Sequence, residues 1–313
     1  MNNIISQMLA GYETKNVNDE INALKEIIQE VVLCGLSRSD FFDKVAFYGG
    51  TALRIFYNID RFSEDLDFAL ISPDKNFDLS KYFSYIENEL NSYGINMEIS
   101  TKQKKSDSNI TSAFLKWDTL EHILRFFPRE ESTTYNNLLK NIKVKFEVDI
   151  NPPIGATYEI KYKILPCLHQ INLYDETSLL AGKVHAILCR NWSFRTKGRD
   201  LYDYIYLLIS NAKINIELIK NKLIDSGVLE KNDDFNIDVL KDLLNKKFSE
   251  INYEDAKKDV LPFINDTQIL KLFFSNPNWL RRDCVPWFQK KANNLLLNSI
   301  LGGQGENTEA EKA

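Results

Sequence analysis

Near residue 178 the hydrophobic pattern of this chain changes its period, and no other feature constrains the fold as much. Before that point apolar residues recur both at every second position and at helical spacing; after it they recur at helical spacing alone. A chain patterned this way reads as α/β (α+β), a mixed β-sheet domain followed by a C-terminal helical bundle. It has 313 residues, and at about 150 residues per domain each half can bury its own core. The expected division is an α/β domain over 1–175, a helical domain over 176–301 and a disordered tail over 302–313, where the sequence turns polar and Gly-rich.

Ile21, Leu24, Ile27, Ile28, Val31 and Val32 mark an amphipathic helix over 18–36. The apolar run Val45 to Tyr48 stops at Gly49 and Gly50, and Thr51 is expected to cap a helix through Ala52, Leu53, Ile55 and Phe56. Leu66, Phe68 and Leu70 alternate with Asp65, Asp67 and Ala69, which predicts a strand. Further strands are expected over 96–101, 112–117 and 142–150, with an extended stretch from Pro153 to about 173. Helices are expected over 178–193, 199–210, 215–226, 237–249, 253–260, 266–275 and 286–300.

Composition excludes several classes of function. No window approaches the ~18 uncharged apolar residues of a transmembrane helix. Met1, Asn2, Asn3 and Ile4 lack the basic and apolar regions of a signal peptide, so a cytoplasmic protein without membrane contact is expected. Cys34, Cys167, Cys189 and Cys284 form no CxxC pair and are expected to be reduced and buried. His122, His169 and His185 are equally dispersed, so a structural zinc site is not expected. A net charge of −5 argues against a surface that coats nucleic acid throughout, though it allows a local basic groove.

The segment Tyr48-Gly49-Gly50-Thr51-Ala52-Leu53-Arg54, followed by Ser63, Asp65 and Asp67, carries the most chemistry. Two glycines after a strand let the backbone approach a ligand closely, and the free amides at the start of the next helix favour phosphate oxygens. Asp65 and Asp67 alternate on one strand, so both carboxylates face the same side. Side by side they repel unless a cation lies between them, and hard oxygen ligands suit Mg²⁺ (or Mn²⁺). A metal beside a phosphate cradle means phosphoryl-group chemistry. Neither a P-loop GxxxxGK[ST] nor a Rossmann GxGxxG occurs. Alone, a Gly-Gly pair is usually a turn and Asp-x-Asp an exposed strand edge; in strand–turn–helix–strand order the combination is far more specific.

Glu147 and Asp149 share one face of a later strand, and either can supply the third carboxylate that such a site needs. The bland alternative is a half-exposed strand in which both are merely solvated. In the helical half, Lys183, Ile187 and Arg190 fall on one face, and Asp200 and Asp203 stand in the first turn of the next helix. Here too a structural role is available, since Asp203 can pair with Arg199. Lys183, Arg190, Arg195, Lys197 and Arg199 form a local basic cluster in an acidic protein, which favours a polyanion nearby. His185, with no second ligand at metal spacing, reads as a packed helical histidine.

Taken in order, Gly49-Gly50-Thr51, Arg61-x-Ser63-x-Asp65-x-Asp67, Lys145-x-Glu147-x-Asp149-x-Asn151-Pro152-Pro153 and Lys183 with Lys197-x-Arg199-Asp200-x-x-Asp203 resemble the AbiEii/AbiGii nucleotidyltransferase-like toxins. The resemblance runs from about residue 44 to 208. It implies a DNA polymerase β-like nucleotidyltransferase domain followed by a helical bundle. It also implies metal-dependent transfer of a nucleotide from an NTP to a hydroxyl on RNA, tRNA included, by the toxin of a type IV toxin–antitoxin or abortive-infection pair. The cognate antitoxin need not touch the toxin. By the same resemblance Gly49, Gly50, Thr51 and Ser63 lie at the triphosphate and Asp65 and Asp67 ligate metal. Glu147 or Asp149 is the third carboxylate, and Lys183 with Asp200 completes the site. Two rival functions stay open: the same fold acting on a protein or small molecule, and a non-catalytic nucleotide-binding protein.

Overall fold

Seven strands join into one mixed sheet in the order β3-β4-β5-β2-β1-β7-β6 in the computed structural model, which describes residues 3–101, 119–128, 142–192 and 197–264. The strands are β1 (Val45–Tyr48), β2 (Asp65–Leu70), β3 (Ile95–Thr101), β4 (Thr119–Pro128), β5 (Lys143–Asp149), β6 (Tyr158–Lys163) and β7 (His169–Tyr174). The expected strand at 112–117, the helices at 266–275 and 286–300, the tail over 302–313, and Arg195 and Cys284 lie outside the described residues.

The chain divides into two compact units, residues 1–152 with 158–174, and residues 153–157 with those from 175 onward. In the first, α1 (Asn3–Leu9), α2 (Val17–Ser37), the short α3 (Phe41–Lys44), α4 (Gly49–Tyr57) and α5 (Phe83–Ser92) accompany the sheet. The Asn16 side chain caps α2 by accepting from the amides of Asn18 and Asp19. Ile27, Ile28, Val31 and Val32 of α2 are fully buried, each contributing about 1.5–3 kcal/mol of transfer free energy. Phe41, Phe47, Phe68 and Phe146 fill the core, with the Phe68 and Phe146 rings stacked at 4.8 Å.

The strands that carry the acidic residues lie in the middle of this sheet. β2 pairs antiparallel with β1 and parallel with β5. Leu66 and Phe68 of β2, with Val144, Phe146 and Val148 of β5, are buried, while Asp65, Asp67, Lys145 and Glu147 occupy the opposite, less buried positions.

The second unit contains α6 (Glu176–Cys189), α7 (Gly198–Ile209), α8 (Ile216–Asp225), α9 (Ile237–Glu250) and α10 (Tyr253–Val260). Leu180, Val184 and Ile187 of α6, Leu207 and Leu208 of α7, and Leu240, Leu244 and Phe248 of α9 are buried. The Asp175 carboxylate caps α6, accepting from the Ser178 amide at 2.9 Å, so this helix starts before the expected residue 178.

Three expectations are corrected. Thr51 is not a cap: α4 starts at Gly49 with Tyr48 in the capping position, and the buried Thr51 hydroxyl donates to the Asp65 carbonyl. A glycine φ of +87° at residue 49 lets the chain turn from strand to helix without an intervening cap. Arg190 is the residue that ends α6, in extended geometry, rather than a member of its helical face. Cys34 and Cys167 are not reduced but joined in a disulfide across 133 residues of sequence. Spacing along the chain carries no information about such a pair, which only the packing of α2 beside the entry to β7 creates. Cys189 is free and half-buried.

Candidate active site

Parallel pairing of β2 with β5 decides how the carboxylates meet. Asp65 stands opposite Lys145, Asp67 opposite Glu147 and Ala69 opposite Asp149. Paired residues of adjacent strands project to the same face, so Asp65, Asp67, Glu147 and Asp149 share one side of the sheet. Asp149 is buried and accepts from the Asn151 amide at 3.2 Å. Glu147 keeps a quarter of its side chain exposed and has the Lys145 ammonium at 2.5 Å. Asp67 and Glu147, directly opposite on neighbouring strands, repel one another unless a cation intervenes, and hard oxygen donors of this kind fit Mg²⁺ or Mn²⁺.

The glycines bring a helix start against these groups. A β-carbon on Gly49 would lie 2.3 Å from Asp67 Oδ2, so no other residue fits without displacing that carboxylate. One on Gly50 would lie 2.6 Å from an Arg61 guanidinium nitrogen and 2.8 Å from Ser63 Oγ. The N-terminus of α4, Asp67, Ser63 and the buried Arg61 therefore crowd together in the first unit. Because the Thr51 hydroxyl is spent on Asp65, Thr51 offers a phosphate its backbone amide only.

Tyr48 and Arg61 stand in the motif segment but drew no role from sequence. Tyr48 pairs in register with Asp67 and stacks on Tyr174 at 5.1 Å. Its hydroxyl is pushed well above the usual tyrosine range, first by burial and then by the charges of Asp67, Asp149 and Glu147, which keeps it a neutral donor. Arg61 donates to the Phe62 carbonyl at 3.0 Å and is 3% exposed, the kind of buried cation a sequence pattern does not reveal.

In the second unit Lys183 lies between two carboxylates of α7. Its ammonium is 2.7 Å from Asp203 and 3.3 Å from Asp200, and Arg190 binds the other oxygen of Asp200. Asp203 thus pairs with Lys183, a partner that its spacing along the chain does not indicate. Arg199 pairs with Asp259 at 3.6 Å and covers the Phe263 ring. The cluster of basic residues is thus partly neutralised within the helical unit. His185 packs as expected, its Nε2 2.6 Å from Ser226 Oγ.

A mixed sheet with paired acidic residues beside a glycine-started helix belongs to the nucleotidyltransferases as a class. The chain is a member of the nucleotidyl transferase AbiEii toxin family of type IV toxin–antitoxin systems, whose family model matches residues 31–284. Among solved structures it resembles MenT4, a nucleotidyltransferase toxin from Mycobacterium tuberculosis. Identity there is 16% over 95% of this chain and 98% of that one, with a TM-score of 0.54. JHP933 from Helicobacter pylori is also 16% identical, over 89% of this chain and 90% of that one, with a TM-score of 0.43. No curated protein matches the chain. No helix among the described residues is long and apolar enough to cross a membrane.

Proposed function

We propose that this toxin transfers a nucleotide from an NTP to a hydroxyl of RNA, tRNA being the first candidate, in a divalent-metal-dependent reaction in the cytoplasm. The observation that carries the reading is the register of β2 on β5, which aligns Asp67 with Glu147 and sets Asp65 and Asp149 on the same face. Asp65 and Asp67 would hold the metal, with Glu147 as the third ligand because it is the acidic residue beside Asp67, and Asp149 as the rival for that place. The ion would polarise the reacting phosphoryl group and offset its developing charge.

The residues of the chain supply the rest. Amides at the start of α4 donate to phosphate oxygens, and Gly49 and Gly50 let them approach. Ser63 Oγ, beside Gly50, donates to the same phosphate group, and Arg61 places a buried positive charge behind it. Lys183, paired with Asp200 and Asp203, is the cation proposed for the leaving pyrophosphate. Lys197 and Arg195 are proposed to meet the RNA backbone.

Incubation with each labelled NTP, Mg²⁺ or Mn²⁺, and either total RNA or total protein tests the proposal. Label in RNA that disappears in Asp67→Asn supports it. Label in protein instead overturns the acceptor, and label unaffected by Asp67→Asn overturns the site.

A further inference from the structure

Away from the acidic face, three residues distant in sequence converge in the first unit. Cys34 lies in α2, Cys167 in the loop that enters β7, and His169 is the first residue of β7. One ligand atom from each lies within 4.8 Å of the other two. His169 is 7% exposed, and its Nδ1 lies 2.7 Å from the Cys167 carbonyl oxygen, to which it donates. The lone pair is therefore on Nε2, which is buried and has no hydrogen-bond partner. Buried polar atoms are almost always partnered. A disulfide between Cys34 and Cys167 makes no use of His169.

We propose that in the reduced protein Cys34, Cys167 and His169 bind a soft transition-metal ion, Zn²⁺ foremost. The site has two thiolates and one imidazole, with a fourth position open to water. An external dithiol reductant breaks the Sγ–Sγ bond: two electrons and two protons pass to the cysteines while the reductant closes its own disulfide. Zn²⁺ then displaces both thiol protons into solvent and forms two Zn–S bonds and one Zn–N bond.

The surroundings suit this charge. Two thiolates and a neutral imidazole balance the ion. Arg38, with its guanidinium 3.3 Å from Cys167 Sγ and 3.9 Å from Cys34 Sγ, adds a positive charge beside the sulfurs. Glu89 holds that guanidinium at 3.3 Å and stands 3.3 Å from Cys34 Sγ. Donation from Nδ1 to a backbone carbonyl is the outer contact that orients metal-bound histidines. The cysteine Cα atoms are 6.8 Å apart, at the wide end of what a disulfide spans, so side-chain rotation alone can separate the sulfurs around an ion.

Co²⁺ is the probe, because thiolate ligation gives it a sulfur-to-metal charge-transfer band that carboxylate ligation does not. The reduced full chain is expected to take up one equivalent with that band, which Zn²⁺ then abolishes. The oxidised chain shows none. The band persists in Cys189→Ser/Cys284→Ser and in Asp67→Asn, which separates this site from the acidic one, and His169→Gln weakens Co²⁺ binding about tenfold or more. A second readout needs no variant: Zn²⁺ slows alkylation of the half-buried Cys167 in the reduced wild-type chain and leaves Cys189 unchanged. Absence of the band in the reduced chain, its survival in Cys34→Ser/Cys167→Ser, or equal alkylation rates with and without Zn²⁺ overturns the proposal.

Discussion

Gly49 and Asp67 are packed so closely that a β-carbon on the glycine would stand 2.3 Å from the carboxylate oxygen Oδ2. Gly49 also has a φ of +87°, where side chains other than hydrogen are strained. The turn into α4 and the position of Asp67 are therefore one structural decision.

Gly49→Ala should accordingly fail twice. The backbone strain costs about 1–3 kcal/mol of stability, and relief of the clash moves the Asp67 carboxylate from its place beside Glu147. Thermal denaturation is expected to show a lowered melting temperature, and NTP-dependent labelling to fall far more than the loss of folded protein explains.

Asp67→Asn separates charge from shape. The amide keeps the size and removes a negative charge that stands opposite Glu147, so the fold should persist with a melting temperature equal to or above wild type. Nucleotide transfer should be abolished, and host growth on expression restored. Comparison of Glu147→Gln with Asp149→Asn then identifies the third ligand as whichever loss matches that of Asp67→Asn.

Lys183→Met tests the helical unit. Asp203 has a fully buried side chain and Lys183 one that is 12% exposed, so removal of the ammonium leaves a buried carboxylate without its nearest cation. The expected cost is about 3 kcal/mol, read from denaturant unfolding. Lys183→Met/Asp203→Leu should recover much of that stability. If Lys183 also serves the triphosphate, the stabilised double variant stays inactive.

Glu30 provides a pH signature. Burial raises its pKa from 4.5 to about 7, against the opposing effect of Lys163 at 3.4 Å. Between these values the folded state binds more protons at Glu30 than the unfolded one, so this residue's contribution to stability is full below 4.5 and is lost as pH rises through 7. Glu30→Gln should remove that decline, a difference on the order of 3 kcal/mol between pH 4.5 and 8. Melting temperatures of the two proteins across that range check it.

Charge reversal at Arg195 and Lys197 should weaken RNA binding. It should also flatten the dependence of log K on log salt by about 1.4 for two lost contacts to a single strand. NTP affinity is expected to hold. An unchanged salt slope means that these cations do not touch RNA.

Much of this protein is determined by sequence alone, for a physical reason: periodicity is local. The alternation in β2 and β5 and the helical spacing of α2 and of α6 through α10 require only that each element bury one face, and they agree with the structure to within a few residues. β4 escaped detection because Leu120, Ile123, Leu124 and Phe126 also suit a helix; pairing on both sides, with β3 and β5, makes it a strand. The short α3, and α1 and α5, left no pattern strong enough to stand out. Gly49, Gly50, Asp65 and Asp67 were legible as a candidate site since they lie within twenty residues of one another. Long-range relationships were decided only by tertiary structure. Parallel pairing sets Glu147 beside Asp67. Helix packing brings Lys183 to Asp203. Residues 34, 167 and 169 meet although their spacing argued against any cysteine–histidine cluster. Contacts between distant segments form where whole hydrophobic faces dock, and the residues that happen to stand at those junctions carry no mark of it in their own neighbourhoods.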